Sequence, residues 1–254
     1  MSATPHCCAA LLLAAALAAG AAAAQTRSDT AREKRWAEQV VPGLVVGDAV
    51  ELRTADGIRF LALYAPAERA RAAVLLAHGP GLHPDHGITG ELRVSLVDRG
   101  YSTLSLQMPV LAAENDDGAA YRELYPEAAR RIAAGMRFLQ DKGATRIALV
   151  SHAMGAGMAY DYLRQNRGEP VFAWVALSFY GVFGDMAGAK FPILDLYGAS
   201  DYRGIRGPAS ERAQILRALP GSRQLAAPDG GRFLAGGEKT VLREVAAFLD
   251  ALAR

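Results

Sequence analysis

Thiols are nearly absent from this chain. Its 254 residues include two cysteines, Cys7 and Cys8, both within the first eight positions. A mature form that begins later has none, which excludes disulfides, thiolate zinc sites, iron–sulfur clusters and cysteine nucleophiles together. Runs of five or six like charges are also missing, and the net charge is only +2. There is therefore no electrostatic case for nucleic acid or an anionic membrane surface as a partner. Histidine totals five, and lysine supplies only four of the 28 basic residues. Beyond the N-terminus, no apolar segment reaches the ~18 to 20 residues of a membrane span. What is present, 51% apolar, 21% charged and 7% aromatic side chains, is the composition of an ordinary globular chain.

Between Cys8 and Gln25 the chain is Ala and Leu with one Gly, and no charged side chain precedes Arg27. Ala22-Ala23-Ala24 offers a small-residue cleavage site before Gln25. This predicts a secretory signal peptide over residues 1–24 and a periplasmic or secreted mature protein. A lipoprotein anchor needs a Cys at the end of the apolar stretch, and both cysteines precede it. The remaining chain of roughly 230 residues suits one α/β domain with a sizeable core.

Thr30 to Val41 alternates Arg, Glu and Lys with Trp36 and Val40, an amphipathic helix that stops at Pro42-Gly43. Residues 25–43 form this helix and a lead-in, and residues 44–254 a single domain. Strand-like runs at Leu44 to Arg53 and Ile58 to Tyr64, joined by Thr54-Ala55-Asp56-Gly57, read as a hairpin. Apolar strands are then predicted at Ala73 to His78, Ser102 to Gln107, Arg146 to Ser151, Val171 to Leu177, Pro192 to Tyr197 and Arg223 to Ala227. Helical stretches separate or follow them, at Thr89 to Arg99, Ala119 to Lys142, Met154 to Arg164, Pro208 to Leu219 and Lys239 to Leu252. Alternation of buried strands with helices predicts an α/β fold: a sheet of about eight strands, mostly parallel, covered on both faces, with right-handed crossovers.

Two stretches resemble the α/β-hydrolase superfamily, in particular its dienelactone-hydrolase-like and lipase-like members. Leu75-Leu76-Ala77-His78-Gly79-Pro80-Gly81 is a strand running into an HG turn, similar to the loop that supplies one oxyanion amide there. Leu149-Val150-Ser151-His152-Ala153-Met154-Gly155 resembles the G-x-S-x-G elbow, often written GHSMG, at His152, Met154 and Gly155. With the hairpin and strand count, the resemblance covers nearly all of residues 44–254. His83-Pro84-Asp85 and Leu194-Asp195-Leu196-Tyr197-Gly198 are similar to an uncharacterised branch of secreted bacterial proteins of this fold.

The resemblance implies acyl transfer by a Ser nucleophile, a His base, an orienting acid and two oxyanion N–H groups. At the elbow the nucleophile position holds Ala153. The acid position is filled by Asp201, and the H-x-F of the base loop falls on Gly231-Arg232-Phe233. No His occurs after His152 at all. Pro80, directly after the HG turn, has no N–H, which leaves Met154 as the matching donor unless Gly81 replaces Pro80. Loss of one triad member already leaves only about 10³- to 10⁴-fold catalysis over water. The expectation is a pseudoenzyme, a non-catalytic protein that binds a small molecule or an envelope protein, with no cofactor.

Other residues carry weaker readings. Ser151 is a small packing residue, or a displaced nucleophile served by His78 or His86. His152 packs structurally. His78, Gly79, Pro80, Gly81, His83, Asp85, His86, His152 and Met154 are expected around the cleft. His83-x-Asp85-His86 overlaps part of a zinc-binding H-x-H-x-D-H motif, but its first His is Gly81; a metal held by His78, His83 and His86, or by His83, Asp85 and His86, is the alternative. The bland reading has Asp85 capping the turn before the helix at Thr89. Asp201 reads as a turn residue that outlived the triad, and Tyr160 and Tyr162 as a mixed helix surface. The Gly155-Ala156-Gly157 stretch lacks the third Gly of a dinucleotide fingerprint.

Overall fold

The hairpin is where the chain first becomes a sheet. Strands β1 (Asp48–Arg53) and β2 (Arg59–Ala65) pair antiparallel. Their turn is tied by the Thr54 hydroxyl, which donates to Asp56 and accepts the Ile58 N–H, with Gly57 at φ +93°. This computed structural model describes residues 28–113 and 118–253, so the signal peptide expected over residues 1–24 lies outside the described residues.

Six further strands follow: β3 (Ala72–Ala77), β4 (Tyr101–Leu106), β5 (Ile147–His152), β6 (Val171–Leu177), β7 (Ile193–Gly198) and β8 (Arg223–Ala227). The sheet runs β1-β2-β4-β3-β5-β6-β7-β8, antiparallel at the hairpin and the β2–β4 junction and parallel elsewhere. Helices α1 (Thr30–Val40), α2 (Gly87–Val97), α3 (Tyr125–Asp141), α4 (Met154–Gln165), α5 (Arg203–Arg206), α6 (Ala209–Leu216) and α7 (Glu238–Leu252) complete the described elements.

Period-two geometry divides each buried strand between two cores. Ala73, Leu75 and Ala77 of β3 join one with residues of α3 and α4. Ala72, Val74 and Leu76 join the other with residues of α2 and α7. The same parity in β5 places Ile147 and Leu149 in the first and Ala148 and Val150 in the second. Ser151 and His152 therefore end the strand on opposite faces.

Several expected boundaries moved for identifiable reasons. The first strand begins at Asp48, not Leu44. The stretch expected as a helix from Ala119 opens with a 3-10 turn, Ala120–Leu124, and α3 starts at Tyr125. Pro126 fits the first turn of a helix, where its missing N–H costs nothing, but not an interior. Pro208 likewise separates α5 from α6. Helix α1 buries Glu33 rather than an apolar face: Arg131 Nη1 donates to Glu33 Oε2 at 3.0 Å and to the Gln107 carbonyl at 2.8 Å. Burial raises the Glu33 carboxyl to about 7 against the pull of Arg131.

Candidate functional site

The parallel strands end at a strained turn. Ala153, between β5 and α4, has φ 51° and ψ −113° and is 1% exposed. A residue with a Cβ held there costs on the order of 1–3 kcal/mol and persists only where its surroundings enforce it. Those surroundings are backbone. The Ala153 N–H donates to the Leu177 carbonyl at 2.8 Å. A Cβ added at Gly155 would lie 2.6 Å from the Ala77 carbonyl oxygen and closer still to that of His78, so the first turn of α4 rests directly on the end of β3. The sharp elbow geometry is thus present with a methyl group at its apex.

Asp201, in the loop after β7, is buried, and both its oxygens are in use. One accepts the Ser178 hydroxyl at 2.6 Å and the Gly198 N–H at 3.3 Å. The other accepts the Tyr202 N–H at 2.7 Å and the Phe233 N–H at 2.9 Å. Among the described residues no histidine hydrogen-bonds it. Ser178, which belongs to no motif and carries no sequence signal, is fully buried at φ 48° directly after β6. Gly231 begins the short turn Arg232–Leu234, in which Phe233 and Leu234 take φ 54° and 69°. Asp201 therefore fastens this loop through its backbone.

The remaining candidates are largely consumed inside the molecule. Ser151 accepts the Trp174 indole N–H at 2.8 Å and donates to the Val175 carbonyl at 3.3 Å. It faces the α3–α4 core and has no histidine partner, so the displaced nucleophile is not assembled. His78 is buried, with Nδ1 2.7 Å from the Gly79 carbonyl and Nε2 accepting the Met108 N–H at 2.9 Å. Desolvation holds it down to about 3, a neutral imidazole that ties β3 to the segment after β4. His152 is lowered to about 4, chiefly by burial against the opposing pull of Asp201, and its ring meets Phe233 edge-on at 6.0 Å.

The loop residues of the metal alternative have other partners. Asp85 does not cap the helix; its Oδ1 takes Arg93 Nε at 2.9 Å and Nη2 at 2.6 Å, and α2 begins at Gly87 with no side-chain cap. His83 and His86 pack ring to ring at 5.3 Å, with Trp36 of α1 5.9 Å from His83. No three His, Cys, Asp or Glu converge on a metal position among the described residues.

Above the elbow lies an open cleft of about 1030 Å³. Of the residues expected around it, Pro80, His86, His152 and Met154 line it, together with Ala153. His78, Gly79, Gly81, His83 and Asp85 do not. Seven aromatic rings stand in its wall: Tyr121, Tyr125, Tyr160, Phe179, Tyr180, Tyr202 and Phe233. Tyr160 is thus corrected from helix surface to cleft wall, 5.6 Å from the Phe179 ring, and Tyr162 is 1% exposed in the core. These rings come from six separate segments and leave no local pattern; strand-end position in the parallel sheet was the one available signal.

Sheet order, hairpin and elbow together define an α/β-hydrolase fold. Solved structures of that class superpose on the chain over most of its length. A dienelactone hydrolase from Anabaena variabilis has TM-score 0.67 and 18% identity, covering 81% of this chain and 97% of its own. A Pyrococcus furiosus esterase has TM-score 0.65 and 15% identity, covering 83% and 98%. A dienelactone hydrolase-like promiscuous phosphotriesterase from metagenomic libraries has TM-score 0.64 and 16% identity, covering 80% and 98%. The family described as "Protein of unknown function (DUF3530)" matches residues 4–129. No curated protein matches the sequence. No described helix is long and apolar enough to cross a membrane.

Proposed function

We propose that the protein binds a small molecule in the cleft above Ala153 without turning it over by Ser–His–Asp chemistry, and that it acts in the periplasm or outside the cell. The observation that carries this reading is the joint state of elbow and acid. A methyl group stands at the nucleophile position, while Asp201 spends its acceptors on Ser178 and three backbone N–H groups. The cleft itself is open and about 1030 Å³, at the upper end of the roughly 300–1,000 Å³ of small-molecule sites. A pocket of this kind favours a small molecule over an envelope protein as the occupant. Export rests on the signal-like residues 1–24.

The test uses the mature chain from Gln25. A fluorophosphonate probe should leave it unlabelled, and aryl esters, lactones and phosphotriesters, the substrate types of the named structural neighbours, should not turn over above buffer. Ala153→Ser should leave both results unchanged, because among the described residues no histidine hydrogen-bonds Asp201 to serve as an oriented base. Hydrolysis that survives Ser151→Ala overturns the reading.

A further inference from the structure

The charges at the cleft specify the kind of ligand. We propose that the site selects an anion with an apolar body, an amphiphilic carboxylate or sulfonate, and that Arg122 and Arg232 provide the selectivity. This deepens the ligand-binding reading above and rests on it.

The three buried arginines among the described residues are all matched: Arg93 with Asp85, Arg131 with Glu33 and Glu127, Arg212 with Asp195. The two that line the cleft are not. Arg232 lies 5.4 Å from the Tyr202 ring centroid and 5.1 Å from that of Phe233, so its plane is held by aromatic faces. Its guanidinium has neither ion pair nor hydrogen bond among the described residues, and the same is true of Arg122, from the turn Ala120–Leu124. A guanidinium held on rings keeps its N–H fork free for a carboxylate or sulfonate, and a guanidinium is more weakly hydrated than an ammonium.

The one carboxylate among the described lining residues is Glu238, and it already accepts the Gly236 N–H at 3.0 Å. His152 adds no charge near neutrality. A cationic ligand would meet two unneutralised guanidinia, and a small inorganic anion would leave the aromatic wall unused. An anionic head with an aromatic or acyl body uses both. The placement of Arg232 depends on the loop that Asp201 fastens through Phe233, which makes Asp201 a positioning residue for recognition.

Two fluorescent dyes that share a body and differ in charge test this. 1-Anilinonaphthalene-8-sulfonate carries the anion, and N-phenyl-1-naphthylamine lacks it. Titrated into the mature protein at low salt, the sulfonate should bind one site about tenfold more tightly, the low end for a charge-assisted hydrogen bond. Added salt should erode that preference, and Arg122→Gln with Arg232→Gln should bring the dyes to parity with an unchanged melting temperature. Tyr160→Ala should weaken both dyes, which places them in the cleft. Equal affinity in the parent protein, or a preference that survives the double substitution, overturns charge selection while leaving ligand binding intact. Failure of both dyes to bind overturns both readings. Glu114, Asp116 and Asp117 adjoin the lining residue Gly118 in sequence. If the preference emerges only when these three are made Gln and Asn, the arginines serve the chain's own acids and the proposal falls.

Discussion

The elbow at Ala153 and the loop from Asp229 to Gly237 border the same cleft, yet they are held in different ways. The elbow is fixed by sheet backbone: the Leu177 carbonyl takes its N–H, and the carbonyls of Ala77 and His78 leave no room at Gly155. The loop is held largely through side chains: Asp201 accepts the Phe233 N–H and the Ser178 hydroxyl, Thr240 donates to Asp229 and Glu238 accepts the Gly236 N–H, beside a backbone bond from Ser200 to the Gly230 carbonyl. Geometry imposed by the packing of a parallel sheet persists whatever side chain it carries. Geometry imposed by a loop follows its sequence, and here that sequence presents an arginine and an aromatic ring to the cleft.

The largest contrast should appear on adding a methyl group to each region. Gly155→Ala forces a Cβ into two backbone carbonyls that cannot swing aside, and should cost about 3 kcal/mol or more in denaturant unfolding. Gly231→Ala meets only the Ala235 carbonyl, at 3.2 Å, with φ −87°, and should cost less than about 1 kcal/mol. Comparable losses at the two sites would mean that the loop is as constrained as the elbow.

Removing the fastener should act on one region only. Asp201→Ala strands the Phe233 and Tyr202 N–H groups and the Ser178 hydroxyl, at about 2–3 kcal/mol. Amide exchange should accelerate through residues 231–235 while β5 and the start of α4 stay protected. Asp201→Asn keeps one acceptor oxygen and should fall between parent and alanine variant.

The two regions also share a dependence on acid. His78 beneath the elbow is held down to about 3 and His152 against the loop to about 4, both from 6.5. Between about 4 and 6.5 the unfolded chain holds more protons on these groups, so stability falls as pH drops through that window. Glu33 opposes them. Its carboxyl is raised from 4.5 to about 7, so its contribution is present at low pH and is lost as pH rises through that interval. Two groups against one leave stability rising with pH between 4.5 and 6.5, by on the order of 1 kcal/mol per unit. Thermal melts across that range should show it, and His152→Gln should flatten the rise.

The frame was legible because its signals are local and repeated. Apolar runs in β3 and β5, broken by helical stretches, announce a parallel sheet, and His152, Met154 and Gly155 mark the elbow. The cleft was not legible, because its rings meet only after the chain has crossed the sheet several times. Ser151 illustrates the limit. Its position near the elbow invites a chemical role, but strand parity turns it toward Trp174, where the hydroxyl completes an indole hydrogen bond in the core. Arg93 illustrates it again, since Asp85 reads as a helix cap until a buried guanidinium from α2 claims it.

The smallest effect is the most specific to the elbow, because its sign is inverted. In a helix or strand interior, Ala→Gly destabilises by roughly 0.5–1 kcal/mol, as glycine has more freedom to lose on folding. At φ 51° and ψ −113° the balance differs, since Ala153 pays for a Cβ in a region glycine enters freely. Ala153→Gly should therefore be neutral or stabilise by up to about 1 kcal/mol, read as a rise in the denaturant midpoint at constant slope. The methyl is 1% exposed, so its removal gives up about 0.8 kcal/mol of burial against the roughly 1–3 kcal/mol of strain it relieves. An ordinary loss on this substitution would show that the turn relaxes in solution, and that the sheet does not impose the elbow independently of the nucleophile position.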